Sequence, residues 1–227
     1  MSLVKLRTEV GNSIHALLDK HGLKCPYPTL FSGKDLEWLR GLKLGFIDDA
    51  VLKNLLAVLE SLNVQVSLID AKIASLAYND GRVKLLMTMP GLDYFAASLL
   101  LAEICDIDRF SSDKRLVGWA GLAPSIHQSG DRTVYGRVGR GGNRLVRWVL
   151  VEAAQAAIRS DERFRRFYER YASRKGCQKA VVAVAHEMLR IVYYMLKRNE
   201  PYRGERRGLS VKKFKRLERK ALFGLQV

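Results

Sequence analysis

Residues 118–151, GWAGLAPSIHQSGDRTVYGRVGRGGNRLVRWVLV, decide how the second half of this 227-residue chain is organised. The stretch begins with small residues, reaches a Ser-Gly-Asp sequence at 129–131, and continues as an alternating run over 133–138. Alternation on either side of such a turn is typical of two antiparallel strands. We therefore predict a small β-hairpin in which 126–128 pair with 133–138.

A glycine-rich loop follows the hairpin and leads into a helix that Asn143 can cap. From residue 132 to residue 151 there are five arginines and no acid: Arg132, Arg137, Arg140, Arg144 and Arg147. Because a guanidinium can hold a phosphate through two parallel hydrogen bonds, these arginines and Asn143 are candidate nucleic-acid-binding residues. The serine hydroxyl in the turn lies beside a glycine-rich loop and several arginines. This combination indicates a protein that acts on the phosphate backbone of a nucleic acid.

The charge of the chain is unevenly placed. Its formal net charge is +16, yet residues 1–130 hold 14 basic and 14 acidic groups, whereas residues 131–227 hold 25 basic and 9 acidic groups. A half-chain this basic attracts polyanions at long range. A merely solvated cationic surface is the alternative, but the patterning favours a nucleic-acid partner.

Cysteine usage and hydropathy exclude several classes of protein. Three cysteines, odd in number and without CxxC spacing, argue for a reducing compartment and against a disulfide frame or a zinc site. The first residues lack the apolar run of a signal peptide, and no stretch approaches the ~20 apolar residues of a membrane span. The acids Glu103, Asp106 and Asp108 are more typical of solvated or salt-bridged groups than of a metal site. We expect a cytoplasmic globular protein.

The first part of the chain is predicted to be helical. An amphipathic helix should end near Gly22, and a short helix should follow over residues 35–42. Apolar residues then recur at alternating steps of three and four: Leu52, Leu55, Leu59, Leu62, Val66, Ile69, Ile73 and Leu76. We call these eight residues the heptad seam. Self-association through a coiled coil and packing within one chain explain it equally well.

The middle of the chain contains a possible helix-hairpin-helix. Pro90-Gly91 separates two apolar segments, and the Gly91 amide could meet a DNA phosphate, although Asp93 weakens that interpretation. A structural turn is an equally good explanation. His186 lies beside the apolar face of a helix over 178–197, so we expect a satisfied histidine rather than a catalyst. The basic tail, 203–227, should become ordered, if at all, on nucleic acid.

Several blocks of sequence together resemble a known family. They are TMPGLDYFAASLLLAEI, GWAGLAP, the Ser-Gly turn, GRVGRGGNRLVRWVLVEAA and KAVVAVAHEMLRIVYYMLKRNEPY. In order and spacing they are similar to the carboxy-terminal region of transposases of insertion sequences 110, 116 and 902, over about residues 85–202. The helical part, 1–84, resembles the central coiled-coil region of that family. The expected fold is therefore mostly α, a coiled coil or bundle followed by a helical domain carrying the hairpin.

The resemblance also implies a chemistry. Members of the family have a serine that joins covalently to DNA, and this serine falls on Ser129, with Ser125 as the fallback. They also have an amino-terminal RuvC-like nuclease domain with four metal-binding acids. This sequence starts at the coiled coil, so it looks like a truncated or separately encoded part, and Mg²⁺ is expected only through the missing domain. DNA and a structured guide RNA are the implied partners.

Two functions follow as hypotheses. The first is a serine-dependent DNA transposase or recombinase fragment that forms a phosphoserine intermediate. The second is a catalytically inert module that binds DNA or guide RNA. Without the resemblance, an ordinary turn serine would be the better interpretation of Ser129.

The uneven charge generates a first prediction. Binding of DNA or RNA should be strong, should weaken steeply with salt because counterions are released from the phosphates, and should depend on residues 131–227. Fluorescence anisotropy of a labelled duplex across a salt series measures this. Equally tight binding by a chain ending at Gly130 would contradict it.

Overall fold

The computed structural model describes residues 2–27, 33–129, 132–138 and 141–224, with the two strands described by their backbone. The chain divides into two compact units, Met1–Ala71 and Lys72–Val227. The predicted mostly helical fold is confirmed. The first unit contains α1 (Ser2–Lys20), α2 (Gly33–Arg40) and most of α3 (Phe46–Asn79), which continues into the second.

The second unit contains helices and a two-stranded sheet. Its helices are α4 (Gly81–Met87), α5 (Tyr94–Ile104), α6 (Asp113–Trp119), α7 (Arg144–Ser160), α8 (Glu162–Lys175), α9 (Cys177–Arg198) and α10 (Arg207–Gly224). A short 3₁₀ helix, Ile107–Arg109, lies between α5 and α6. The strands are β1 (Pro124–Ser129) and β2 (Arg132–Val138), paired antiparallel between α6 and α7.

The residues of the heptad seam lie in two different environments. Leu52 and Leu59 are buried in a small core with Leu56, against Ile14 of α1 and Leu39 of α2. Further along α3, by contrast, Ile69 is 48% exposed and Leu76 is 76% exposed. Packing within the chain therefore accounts for the first part of the seam, while its last turns leave large apolar side chains in contact with water.

Within the described part of the chain, α3 is the one helix long and apolar enough to cross a membrane by length and composition. The same helix packs against α1 and α2 through Leu52, Leu56 and Leu59. Helix packing within the chain thus covers part of its apolar surface.

The core of the second unit is built around α9. Val184, Met188 and Val192 of this helix are fully buried. A polar contact also fixes this helix, because Arg190 Nε donates to Asp113 Oδ2 of α6 at 2.7 Å. That hydrogen bond holds the pKa of the Asp113 carboxyl below its ordinary value. Helices α6 and α9 are thus joined by apolar contact and by an ion pair.

The carboxy-terminal tail differs from the sequence-based expectation. Residues 207–224 form α10, whose Leu217 joins the core of the second unit, with Phe214 packed against it. The high content of basic residues obscured an apolar stripe that includes these two side chains. Lys213 of the same helix donates to the carbonyl oxygens of Met87 and Met89 at 2.8 and 2.6 Å, and burial lowers the pKa of its ammonium to about 8.

The exposed end of the heptad seam generates the second prediction. If α3 mediates self-association, replacing Ile69 and Leu76 together with lysine should yield a monomer of unchanged stability, because both side chains are exposed within one chain. Light scattering at high protein concentration measures the change. A wild-type chain that is already monomeric would contradict the prediction.

Leu59→Ala provides the contrasting variant. Its side chain is fully buried, so truncation should cost about 2–5 kcal/mol of folding free energy, measured by urea unfolding, whatever the oligomeric state.

Candidate nucleic-acid interface

The base of the hairpin is a contact between two backbones. Gly121 has φ +68° and Gly142 has φ +91°, in the left-handed region that glycine adopts at little cost. A Cβ added to Gly121 would lie 2.4 Å from the Gly141 carbonyl oxygen, and one added to Gly142 would lie 2.5 Å from the Gly121 nitrogen. The segments that enter and leave the hairpin therefore touch where no larger residue fits.

Asn143 connects this base to three helices. Its backbone N–H donates to Trp119 O at the end of α6 at 3.0 Å, and its side-chain Oδ1 accepts from Leu145 N and Val146 N at the start of α7. Its Nδ2 donates to Glu103 Oε2 of α5 at 2.5 Å. The predicted helix cap is confirmed, and both ends of the side-chain amide are engaged within the chain.

Arg147 joins the same two backbone segments. Its Nη1 lies 3.3 Å from Gly121 O and 3.4 Å from Gly141 O, so a half-buried guanidinium donates to both sides of the hairpin base. The structure thus gives Arg147 a structural role beside the phosphate contact that its position suggested. Arg144, one turn earlier on α7, is exposed.

The strand register sets the neighbours of the two candidate serines. Ser129 is paired directly with Arg132 at the end of the hairpin that lies furthest from the base. The register shifts between Pro124 and Ile126, which pair with Val138 and Tyr135, so Ser125 stands opposite the two residues 136–137. Each serine is therefore next to a different arginine in the backbone ladder, Arg132 for Ser129 and Arg137 for Ser125.

Part of the predicted site lies outside the described residues. The turn residues Gly130 and Asp131 and the loop residues Gly139 and Arg140 belong to this group. Both strands run further than the predicted ranges, since β1 is Pro124–Ser129 and β2 begins at Arg132.

His186 contacts the segment that enters β1. Its Nδ1 lies 3.3 Å from Leu122 O, a hydrogen bond when that nitrogen carries the proton. The histidine is half-buried on α9, and this contact is the hydrogen-bonding partner expected for it from the sequence.

Gly91 has a packing role that the sequence did not reveal. It has φ +82°, and an added Cβ would lie 2.1 Å from Ala153 O of α7. Asp93, at the position where the usual motif has glycine, accepts a 2.8 Å hydrogen bond from Ala96 N and so caps α5. The turn between α4 and α5 is thereby fitted against α7, and this close approach by itself requires glycine.

The acids near the hairpin base have partners within the chain. Glu103 accepts from Asn143, Asp106 accepts from the backbone of Asp108, and Asp108 pairs with Lys197. Over residues 2–27, 33–129, 132–138 and 141–224, no group of three or more potential metal ligands occurs.

Comparison with known proteins shows which proteins resemble this arrangement of a hairpin on a basic helical unit. The model for the transposase IS116/IS110/IS902 family matches residues 83–169, from α4 into α8. Over these residues the chain is similar to this transposase family.

Three relatives illustrate the similarity. A transposase for insertion sequence element IS1111A from Coxiella burnetii is 28% identical over 214 residues, covering 88% of this chain and 57% of the relative. A probable family 20 transposase from Pseudomonas aeruginosa is 24% identical over 210 residues, covering 88% and 62%. A pilin gene-inverting protein from Moraxella bovis is 31% identical over 124 residues, covering 53% and 38%. The chain thus spans about three-fifths of the length of the first two relatives.

The different surroundings of Arg147 and Arg144 generate the third prediction. Arg147→Met should remove donors from two carbonyl oxygens at the hairpin base and cost about 1–3 kcal/mol of folding free energy in urea unfolding.

Arg144→Met is the matched control, because Arg144 is exposed on the same helix. It should change stability by less than about 0.5 kcal/mol. It should weaken nucleic-acid binding and lower the salt slope by about 1, as expected for a lost phosphate contact. Equal stability of the two variants would contradict the structural role of Arg147.

Proposed function

We propose that this chain is part of a DNA transposase or recombinase in which the Ser129 hydroxyl attacks a DNA phosphodiester. The observation that carries the proposal is the register of the hairpin, which puts Ser129 directly opposite Arg132. A base of close backbone contacts holds the other end of this hairpin against α6 and α7. The similarity to transposases supplies DNA as the substrate.

The proposed step exchanges one phosphate ester for another. A bond forms between the serine oxygen and phosphorus, the bond from phosphorus to the leaving DNA oxygen breaks, and the serine proton passes to a base. The phosphoserine ester keeps the energy of the broken bond, so a strand can later be rejoined by the reverse attack of a DNA hydroxyl. A free serine hydroxyl is a weak nucleophile, so both a base and charge stabilisation are required.

Arginines are the proposed source of charge stabilisation. Arg132 is opposite Ser129 in the ladder, whereas Arg137 lies at the other end of β2, near Ser125. Arg140 and the exposed Arg144 follow at the hairpin's exit. We assign Arg132 to the phosphate under attack and Arg144 to flanking backbone, because these positions combine proximity to the hairpin with positive charge.

In this proposal the Ser129 hydroxyl is activated by groups outside the described residues. Glu103, Asp106 and Asp108 already have partners within the chain, and no step is assigned to a metal on the described residues. The family resemblance implies a RuvC-like domain whose acids hold Mg²⁺, which would favour loss of the hydroxyl proton.

A binding module is the second candidate function. It is favoured by the concentration of positive charge in residues 131–227. In that case the chain would hold DNA or a structured guide RNA without forming a covalent bond.

The fourth prediction distinguishes these functions and the two serines. Ser129→Ala should fold normally and bind DNA, but should give no denaturation-resistant protein–DNA adduct when element-end DNA and a RuvC-like domain are supplied. The reason is that the substitution removes the attacking oxygen and leaves the arginines in place. The adduct is measured on a denaturing gel with labelled DNA.

Ser125→Ala is the matched control and should keep the adduct. Loss of the adduct in Ser125→Ala with retention in Ser129→Ala would move the nucleophile to Ser125. Absence of any adduct from the wild-type chain, with DNA binding intact, would favour the binding module.

A further inference from the structure

A second basic surface lies away from the hairpin, between α8 and α9. Arg163, Arg166 and Arg170 follow one another along one face of α8 at steps of three and four residues. They line an open groove of about 580 Å³ together with Phe167 and with Glu187 of α9. Helix α8 as a whole carries five arginines and one lysine against two glutamates.

Aromatic rings are interleaved with these arginines. The rings of Phe167 and Tyr171 stack with centroids 4.9 Å apart, and the Arg170 guanidinium lies 5.5 Å from the Phe167 ring centroid. Tyr171 is 40% exposed, so the outer end of this stack is open to solvent. Arginine and aromatic rings in alternation provide cation–π and stacking contacts on one surface.

An adjoining groove repeats the same combination. It shares Arg163 with the first groove and is also lined by Tyr194 and Arg198 of α9. Arg198 lies 5.3 Å from the Tyr194 ring centroid, and Tyr194 is 41% exposed. The two grooves therefore share a border at Arg163, with a ring available on either side. We call this the α8–α9 surface.

Two acids pair with arginines of the first groove, and its lining of three arginines and two glutamates keeps a net positive charge. Glu162 holds Arg166 at 2.5 Å, and Glu187 lies 4.0 Å from Arg163. Arg170 and Arg198 instead lie over rings. A purely solvated charged helix would explain the arginines, but it gives no reason for tyrosine rings open to solvent beside them.

We propose that the α8–α9 surface binds an unpaired DNA strand, with phosphates on its arginines and bases stacked on Tyr171 and Tyr194. The proposal rests on the proposed function, since strand exchange separates DNA strands. Stacking on a side chain requires a free base face, which a base within a duplex does not offer. The charge of the surface is complementary to a phosphate backbone.

The test compares three labelled probes by fluorescence anisotropy with the full chain. They are oligodeoxythymidine, the same strand paired with oligodeoxyadenosine, and oligouridine. Tyr171→Ala and Tyr194→Ala should each weaken binding of oligodeoxythymidine by about 5- to 150-fold, the effect of one lost base stack. Binding of the duplex should be unchanged.

Tyr78→Ala is the matched control. Tyr78 is 38% exposed and has Lys84 4.3 Å from its ring centroid, but it lies on α3. This variant should bind all three probes as the wild type does. Arg170→Gln should weaken binding of oligodeoxythymidine and reduce its salt dependence, whereas Arg219→Gln on α10 should leave that affinity unchanged.

Specific outcomes would overturn the proposal. One is an equal loss for duplex and single strand, and another is no effect of either tyrosine substitution. Tighter binding of oligouridine than oligodeoxythymidine, lost in the same variants, would reassign the surface to RNA. Failure here with an intact Ser129-dependent adduct would leave the proposed function standing, whereas failure of the proposed function would remove the adduct and leave the tyrosine effects measurable.

Discussion

The backbone contact between Gly121 and residues 141–142 is the constraint on which the hairpin depends. It brings the backbone just before β1 into contact with the backbone just after β2. The two strands therefore extend together from the helices. Asn143 and Arg147 then fasten this contact to α5, α6 and α7 by hydrogen bonds.

The arginines of this basic protein perform two different kinds of work. Arg147 and Arg190 donate to groups within the chain, one to carbonyl oxygens at the hairpin base and one to the Asp113 carboxylate. Arg144 and Arg170 are exposed on the surface of the second unit, where a polyanion could contact them. Part of the positive charge therefore stabilises the fold. Fewer arginines are left to contact a polyanion than the net charge suggests.

Periodicity predicted the helices well where apolar residues repeat without competition from charge. The first helix, the long helix α3 and the buried face of α9 follow from three- and four-residue spacing. The same rule failed at α10, where basic residues outnumber the apolar stripe that contains Phe214 and Leu217. Periodicity also could not show which residues of the heptad seam pack within the chain and which remain exposed. The reason is that a coiled coil and a helix packed within one chain have the same apolar pattern.

The sequence by itself determined the mostly helical class, the cap at Asn143 and the concentration of positive charge in residues 131–227. These are local properties, fixed by neighbours within a few positions. Only the tertiary structure decided that Gly91 is fitted against Ala153 and that Arg147 bridges Gly121 and Gly141. It also decided that a ring of α8 and a ring of α9 line two grooves that meet at Arg163. The physical reason is that these contacts join residues far apart in the chain, and glycine or arginine is compatible with either a ligand or a neighbouring backbone until that neighbour is in place.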